Sequence, residues 1–227
     1  MKKYGRDSIT LVYLQKIAYY MFEHTQQVLK PLRDWNYAIP RCSYEDWYIT
    51  MTLYEKYGKK NILDIGSFTG ANTVYFAYLA KMKGNTVRSI DNWSQAHKAG
   101  VSVKRARQLF YSYLDLLEVR DYVVLKEKEV EDINDDDLKD VDFIFHDILH
   151  VRTEGIIDLI KRVKSKTIFI LDDVDRDTRY LNDIIHYQNV KEFHRTQRRS
   201  YMTIFANDEE FVVEELSKAD AQRKTVI

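Results

Sequence analysis

One short stretch, Asn61-Ile-Leu-Asp-Ile-Gly-Ser-Phe-Thr-Gly70 running into Ala71-Asn-Thr-Val-Tyr-Phe-Ala77, encodes a strand, a glycine turn and the start of a helix. Ile62, Leu63 and Ile65 form the apolar run expected of a parallel strand covered on both faces. Gly66 and Gly70 bracket a tight turn where missing side chains let a ligand approach the backbone. Asp64, at the strand's C-terminal end, can accept hydrogen bonds from a cationic or hydroxyl-bearing ligand. The helix after Gly70 begins with free N–H groups. The stretch lacks the three glycines of the dinucleotide fingerprint G-x-G-x-x-G. It also lacks the Gly-Lys-Ser/Thr of a phosphate loop. The plain alternative is an ordinary strand–turn–helix unit in an α/β core.

The rest of the chain fits such a core. Its 227 residues suffice for one α/β domain, and 45% hydrophobic with 31% charged residues describes a soluble globular protein. No apolar run approaches the roughly 20 residues of a membrane span. The start, Met-Lys-Lys-Tyr-Gly-Arg-Asp, leads into an amphipathic segment and not an apolar signal core. The single cysteine, Cys42, excludes an internal disulfide and a cysteine-rich zinc site. A cytoplasmic location is the expectation. The formal net charge of zero argues against strong non-specific nucleic-acid binding.

Apolar residues at helical spacing run from Ser8 to Val28, and a second helix is predicted from Tyr44 to Tyr57, stopping at Gly58. Strand-like runs follow at Asn61–Ile65, Thr86–Ile90, Tyr122–Leu125, Val141–Phe145, Thr167–Leu171 and Tyr201–Phe205, with a weaker one at Val190–His194. Helical patterns fall between them at Asn72–Met82, Gln95–Leu117, Glu154–Val163 and Asp177–Tyr187. This alternation predicts a doubly wound, mostly parallel seven-stranded α/β sheet with helices on both faces, preceded by N-terminal helices. The last strand is expected to be antiparallel, at or near an edge. The acidic run Asp135-Asp-Asp137 reads as a surface loop or a helix start. Residues 1–58 are read as a helical cap and dimerisation region, and 59–227 as the ligand-binding domain, together one structural domain.

In open α/β sheets ligands bind beyond the carboxyl ends of the strands, so the residues just after each strand are the candidates. The first strand supplies Asp64, Gly66, Ser67 and Gly70. The second ends in Asp91-Asn92-Trp93, where an acid is placed to accept the two ribose hydroxyls of a nucleoside. Asn92 or Trp93 would lie near its adenine, with Trp93 able to stack on it. A turn role for Asp91 and plain packing for Trp93 are the competing readings. The run Lys126-Glu-Lys-Glu129-Val-Glu131 after the third strand selects no single residue and reads mainly as solvated charge. The fourth strand delivers Asp147 and then His150, and the fifth delivers Asp172 and Asp173. Adjacent carboxylates repel unless a proton or cation intervenes. Three oxygens from Asp147, Asp172 and Asp173 suit a hard divalent ion such as Mg²⁺. Helix capping, or pairing with Arg152 or Arg176, is the alternative. An unperturbed histidine titrates at about pH 6.5, so His150 could take a proton at neutral pH; a surface or helix-capping histidine is the alternative. His146, one residue before Asp147, is expected to pack on the other sheet face. The basic groups Lys104-Arg105-Arg107 and Arg195-Arg198-Arg199 read as solvated faces, with phosphate or nucleic-acid binding as the sharper alternative.

The pattern Asp64-Ile-Gly66-x-x-x-Gly70 resembles the first motif of class I S-adenosylmethionine (SAM) methyltransferases. Ile65-Gly-Ser-Phe-Thr-Gly-Ala-Asn72 is similar to the I-G-x-x-T-G-x-S of the catechol and caffeoyl-CoA O-methyltransferase branch and its family 24-like bacterial relatives. Asp64 replaces the usual Glu, and Asn72 the usual Ser. The resemblance covers about Asn61 to Val174. It implies SAM as cofactor, with Asp64, Gly66, Ser67, Gly70, Asp91, Asn92 and Trp93 around it. It also implies a Mg²⁺ site at Asp147, Asp172 and Asp173, where the branch has Asp followed by Asp-Asn, and catalytic roles for Asp147 and His150. Asp147-Ile-Leu-His150 keeps only the ends of the Asp-Gly-Asp-His common in bacterial relatives. The implied activity is O-methylation of a small molecule, with a homodimer as assembly and no membrane partner. A nucleic-acid or protein methyltransferase without metal is one alternative, and a non-catalytic SAM-fold subunit another. The N/D-P-P-Y/F motif of amino-methylating enzymes cannot occur, because the only prolines are Pro31 and Pro40.

Overall fold

Ile62, Leu63 and Ile65 are fully buried, which places their strand in the middle of a sheet. The computed structural model describes Tyr54 and residues 61–148, 153–163, 167–172, 191–195 and 202–206. Strand β1 (Asn61–Ile65) pairs in parallel with β2 (Val87–Ile90) on one side and β4 (Val141–His146) on the other. Outside these lie β3 (Val123–Lys126) against β2 and β5 (Ile168–Asp172) against β4, both parallel. Strand β7 (Met202–Ala206) runs antiparallel along β5, and β6 (Lys191–Arg195) antiparallel along β7, giving the order β3-β2-β1-β4-β5-β7-β6. The expected antiparallel closing strand therefore lies one position in from the edge, with β6 outermost. The order turns back between β1 and β4, the switch point where such sheets open a crevice beyond their strand ends.

The side-chain period of two divides the core into two layers. On one face Ile62, Phe143, Phe145, Ile168 and Ile170 pack against Val74, Phe76 and Leu79 of α1 (Ala71–Lys83) and Leu109 and Phe110 of α2 (Val103–Leu116). On the other, Leu63, Ile65, Ile144, Phe169 and Leu171 pack with Leu159 and Ile160, from the helix Thr153–Arg162. Each such fully buried side chain contributes roughly 1.5–3 kcal/mol. Tyr54, from the predicted second N-terminal helix, is helical and 1% exposed, with its ring edge-on to Phe143 at 5.4 Å. Its hydroxyl accepts from Asn85 at 2.8 Å. The remainder of residues 1–58, and the predicted helix Asp177–Tyr187, lie outside the described residues.

Two local departures have clear causes. The predicted single helix Gln95–Leu117 is broken: a 3₁₀ turn at Ala96–Ala99 ends at the left-handed Gly100. Then α2 starts afresh with the Ser102 hydroxyl accepting the Arg105 N–H at 3.2 Å. The acidic run forms a single helical turn, α3 (Asp135–Leu138), but Asp137 is buried and not at the surface. Its carboxylate binds the Asn134 N–H at 2.9 Å, the Lys126 ammonium at 2.6 Å and the Lys128 ammonium. Burial pushes this carboxyl up, but its lysine and backbone hydrogen bonds outweigh that and bring it to about 2. The helix Thr153–Arg162 is α4.

Candidate active site at the carboxyl ends of β1 and β2

Two loops meet at the rim of the switch point. The turn after β1 is held by the Gly70 N–H donating to the Ser67 carbonyl at 2.7 Å. Gly66 (φ 89°) and Gly70 (φ 84°) are both left-handed, and protein atoms explain why both must be glycine. A Cβ on Gly66 would stand 1.9 Å from the Asp147 carbonyl oxygen, and one on Gly70 2.8 Å from the Phe110 ring. The glycines thus let the turn nest against the β4 end and α2. Asp147 follows β4, is half-buried, and donates its N–H to the Ile65 carbonyl at 2.9 Å.

Asp64 is 1% exposed and accepts the Thr73 hydroxyl, from the first two turns of α1. Its other oxygen, Oδ1, is buried with no hydrogen-bond partner. Beside it in register is Ser89, whose hydroxyl bonds that of Ser67. Burial raises the Asp64 carboxyl to about 7, the nearby Asp91 charge adds to the rise, and the Thr73 and Ser67 hydroxyls partly oppose it. No cation among the described residues pairs with it. A buried carboxylate so placed is costly unless protonated or met by a positive ligand.

Asp91 is half-buried and its carboxyl is also raised, first by burial and then by Glu129, against the pull of two backbone N–H groups. Oδ2 accepts the Phe68 N–H and Oδ1 the Trp93 N–H, both at 2.6 Å. Phe68 (φ 47°) and Trp93 (φ 57°) are left-handed non-glycine residues, a conformation costing roughly 1–3 kcal/mol each. Hydrogen bonds to a charged acceptor contribute roughly 1.5–3 kcal/mol each, enough to hold both. One lone pair on each Asp91 oxygen stays available for ribose hydroxyls.

The Trp93 ring, expected beside an adenine, is instead 1% exposed. The left-handed backbone turns it inward, where its Nε1–H donates to the Phe68 carbonyl at 2.5 Å. Phe110 meets it edge-on at 5.8 Å and the Arg107 guanidinium lies 5.1 Å from its centre. Asn92 stays at the rim, where its amide bonds Glu129 and accepts the Ser94 N–H at 2.9 Å. The charges after β3 are largely paired and not merely solvated: Glu127 with Arg107, Glu129 with Asn92, and Lys126 and Lys128 with Asp137.

Of the expected metal and base residues, Asp173 and His150 lie outside the described residues, and of Asp172 only the backbone is described. His146 and Leu171 are register partners on β4 and β5, so Asp147 and Asp172 follow at the same level of the rim. Among the described residues no group of three ligating side chains converges. His146 is 2% exposed, and burial lowers its imidazole to about 4, so it is neutral near pH 7. Sequence reasoning missed Thr73, Ser89 and Phe68. A hydroxyl early in the helix after a strand-end acid was the available signal for Thr73; Phe68 acts through its backbone and carries none.

Residues 63–174 match the model of a family described as a methyltransferase domain. No curated protein matches the sequence. Similar solved structures include a putative caffeoyl-CoA O-methyltransferase from Staphylococcus aureus, 15% identical, covering 85% of this chain and 98% of that one at a TM-score of 0.60. A putative O-methyltransferase from Klebsiella pneumoniae is 15% identical, covering 85% and 97% at 0.56. An O-methyltransferase from Bacillus cereus, solved in complex with S-adenosylhomocysteine (SAH), is 16% identical, covering 82% and 90% at 0.54. These likenesses show the fold. No helix among the described residues is long and apolar enough to cross a membrane.

Proposed function

Residues 63–174 belong to a methyltransferase-domain family, and from that premise we propose that the protein transfers a methyl group from SAM to an oxygen of a small molecule. The observation that carries this reading is the Asp64–Asp91 pair. Two carboxylates at the strand ends flank the glycine turn, one with a buried oxygen lacking a partner, and no cation among the described residues answers them. SAM is a nucleoside with two ribose hydroxyls and a positively charged methionine arm, so its chemistry fits both acids. The Bacillus cereus neighbour of the same fold was solved in complex with SAH, which supports a ligand of this class.

SAM supplies an electrophilic methyl group on a sulfonium; as the O–C bond forms the S–C bond breaks, and the acceptor hydroxyl gives up its proton. The chain's part is to bind and orient. Asp91 would accept the ribose hydroxyls while its other lone pairs hold the turn. Asp64 would face the cationic arm, and Asn92 with Glu129 would border the base. Asp147, Asp172 and Asp173 are the oxygen set for a divalent ion that would ease deprotonation, with His150 as the base. The shared level of Asp147 and Asp172 on neighbouring strands supports that set. Residues 1–58 would roof the acceptor pocket and join a homodimer.

The test is SAH formation from SAM with a panel of catechols, phenols and hydroxylated thioesters, the methyl ether identified by mass spectrometry. Methyl ether formation in proportion to SAH is expected. Turnover only with protein or nucleic acid would contradict the small-molecule acceptor.

A further inference from the structure

Phe68 is tied to the loop after β2 through both of its backbone groups. Its N–H donates to Asp91 at 2.6 Å and its carbonyl accepts the Trp93 Nε1–H at 2.5 Å, while the Trp93 N–H closes the ring on Asp91 at 2.6 Å. Phe68 lies inside the glycine turn, between Gly66 and Gly70, and both it and Trp93 have left-handed backbones. Such residues persist only where their surroundings over-determine them. The indole that does so is itself fixed: it is 1% exposed, edge-on to Phe110 and under the guanidinium of Arg107, which pairs with Glu127 after β3. The turn is thereby fastened to α2 and β3 through one side chain.

We propose that Trp93 is a positioning residue for the cofactor turn: its buried indole N–H holds the Phe68 carbonyl and so keeps the Ser67–Gly70 backbone in its binding conformation before any ligand arrives. The inference rests on the cofactor reading above. A preformed turn binds tightly because no ordering is left to the binding step. Trp93 needs no contact with the cofactor to act, and its burial leaves Asp91 to make that contact.

The test removes the N–H and keeps the shape, by replacing the indole with benzothiophene (3-benzothienylalanine at position 93); Trp93→Phe is the simpler second variant. Ile144→Val, a core truncation in the layer on the other face of the sheet, controls for lost stability. Two quantities are read for each protein: amide hydrogen exchange across residues 66–70 without ligand, and SAH affinity by calorimetry. Faster exchange confined to the turn, with SAH binding about tenfold weaker, is expected for both Trp93 variants and not for Ile144→Val at a matched melting temperature. Unchanged exchange in the turn, or unchanged affinity beside a wild type that binds SAH, would overturn the positioning role alone. A wild type that does not bind SAH would overturn the cofactor reading, and the positioning role with it.

Discussion

Asp64 accepts the hydroxyl of Thr73 and meets no cation among the described residues. Burial holds its carboxyl at about 7, so the ligand-free protein keeps a proton there in mild acid. A cationic ligand stabilises the ionised form, and binding below that pH must release the proton. SAM affinity is therefore expected to fall as pH drops through about 7, by about tenfold from pH 8 to pH 6. Calorimetry in buffers of different ionisation enthalpy would register the released proton. Asp64→Asn should flatten the pH dependence.

Asp91 ties the turn through two backbone N–H groups and, in the proposed site, would also face the ligand. Asp91→Ala removes two backbone partners along with the expected ribose contacts, each worth roughly 1.5–3 kcal/mol to a charged acceptor. SAH affinity should fall at least about a hundredfold, with a lower melting temperature even without ligand. A melting temperature unchanged from wild type would show that the two N–H groups are satisfied equally well by water.

Asp137 is expected to matter for stability and not for binding. Its folded carboxyl sits near 2, below the roughly 3.9 of an unfolded aspartate. Its contribution is present above pH of about 4 and is lost as pH falls through about 2. Asp137→Asn should destabilise the protein by roughly 2–3 kcal/mol near neutrality, because Lys126, Lys128 and the α3 cap lose a common partner. Denaturant melts of both proteins at pH 7 and pH 2.5 should show the gap narrowing in acid.

Chelation tests the carboxylates at the β4 and β5 ends. If Asp147, Asp172 and Asp173 share a divalent ion, EDTA should suppress transfer and Mg²⁺ should restore it. Asp172→Asn should weaken metal binding and leave SAH affinity nearly unchanged. Full activity in excess EDTA would assign these aspartates another purpose.

Periodicity revealed most of the fold. Both-face burial of Ile62, Leu63 and Ile65 follows from their apolar run, and the alternation of strands and helices predicted the mostly parallel sheet; the order of its strands came only from the structure. Near the site, the sequence marked Asp64 and Asp91 through their position after strands. It did not mark the inward turn of Trp93, because a left-handed backbone outside glycine leaves no local signal. The buried Asp137 read as surface charge for a similar reason. Its partners Lys126 and Lys128 lie on and after another strand, and only the folded chain brings them within reach. Gly100 was the visible sign of the break in the predicted long helix, but the capping role of Ser102 decides where α2 begins.

A crystal structure grown with SAH tests the cofactor site at Asp64 and Asp91 most directly. The ribose hydroxyls are expected within hydrogen-bonding distance of Asp91, and the amino group of the homocysteine arm on the Asp64 side of the Gly66–Gly70 turn. SAH bound elsewhere, or no density at that turn in crystals soaked to saturation, would contradict it.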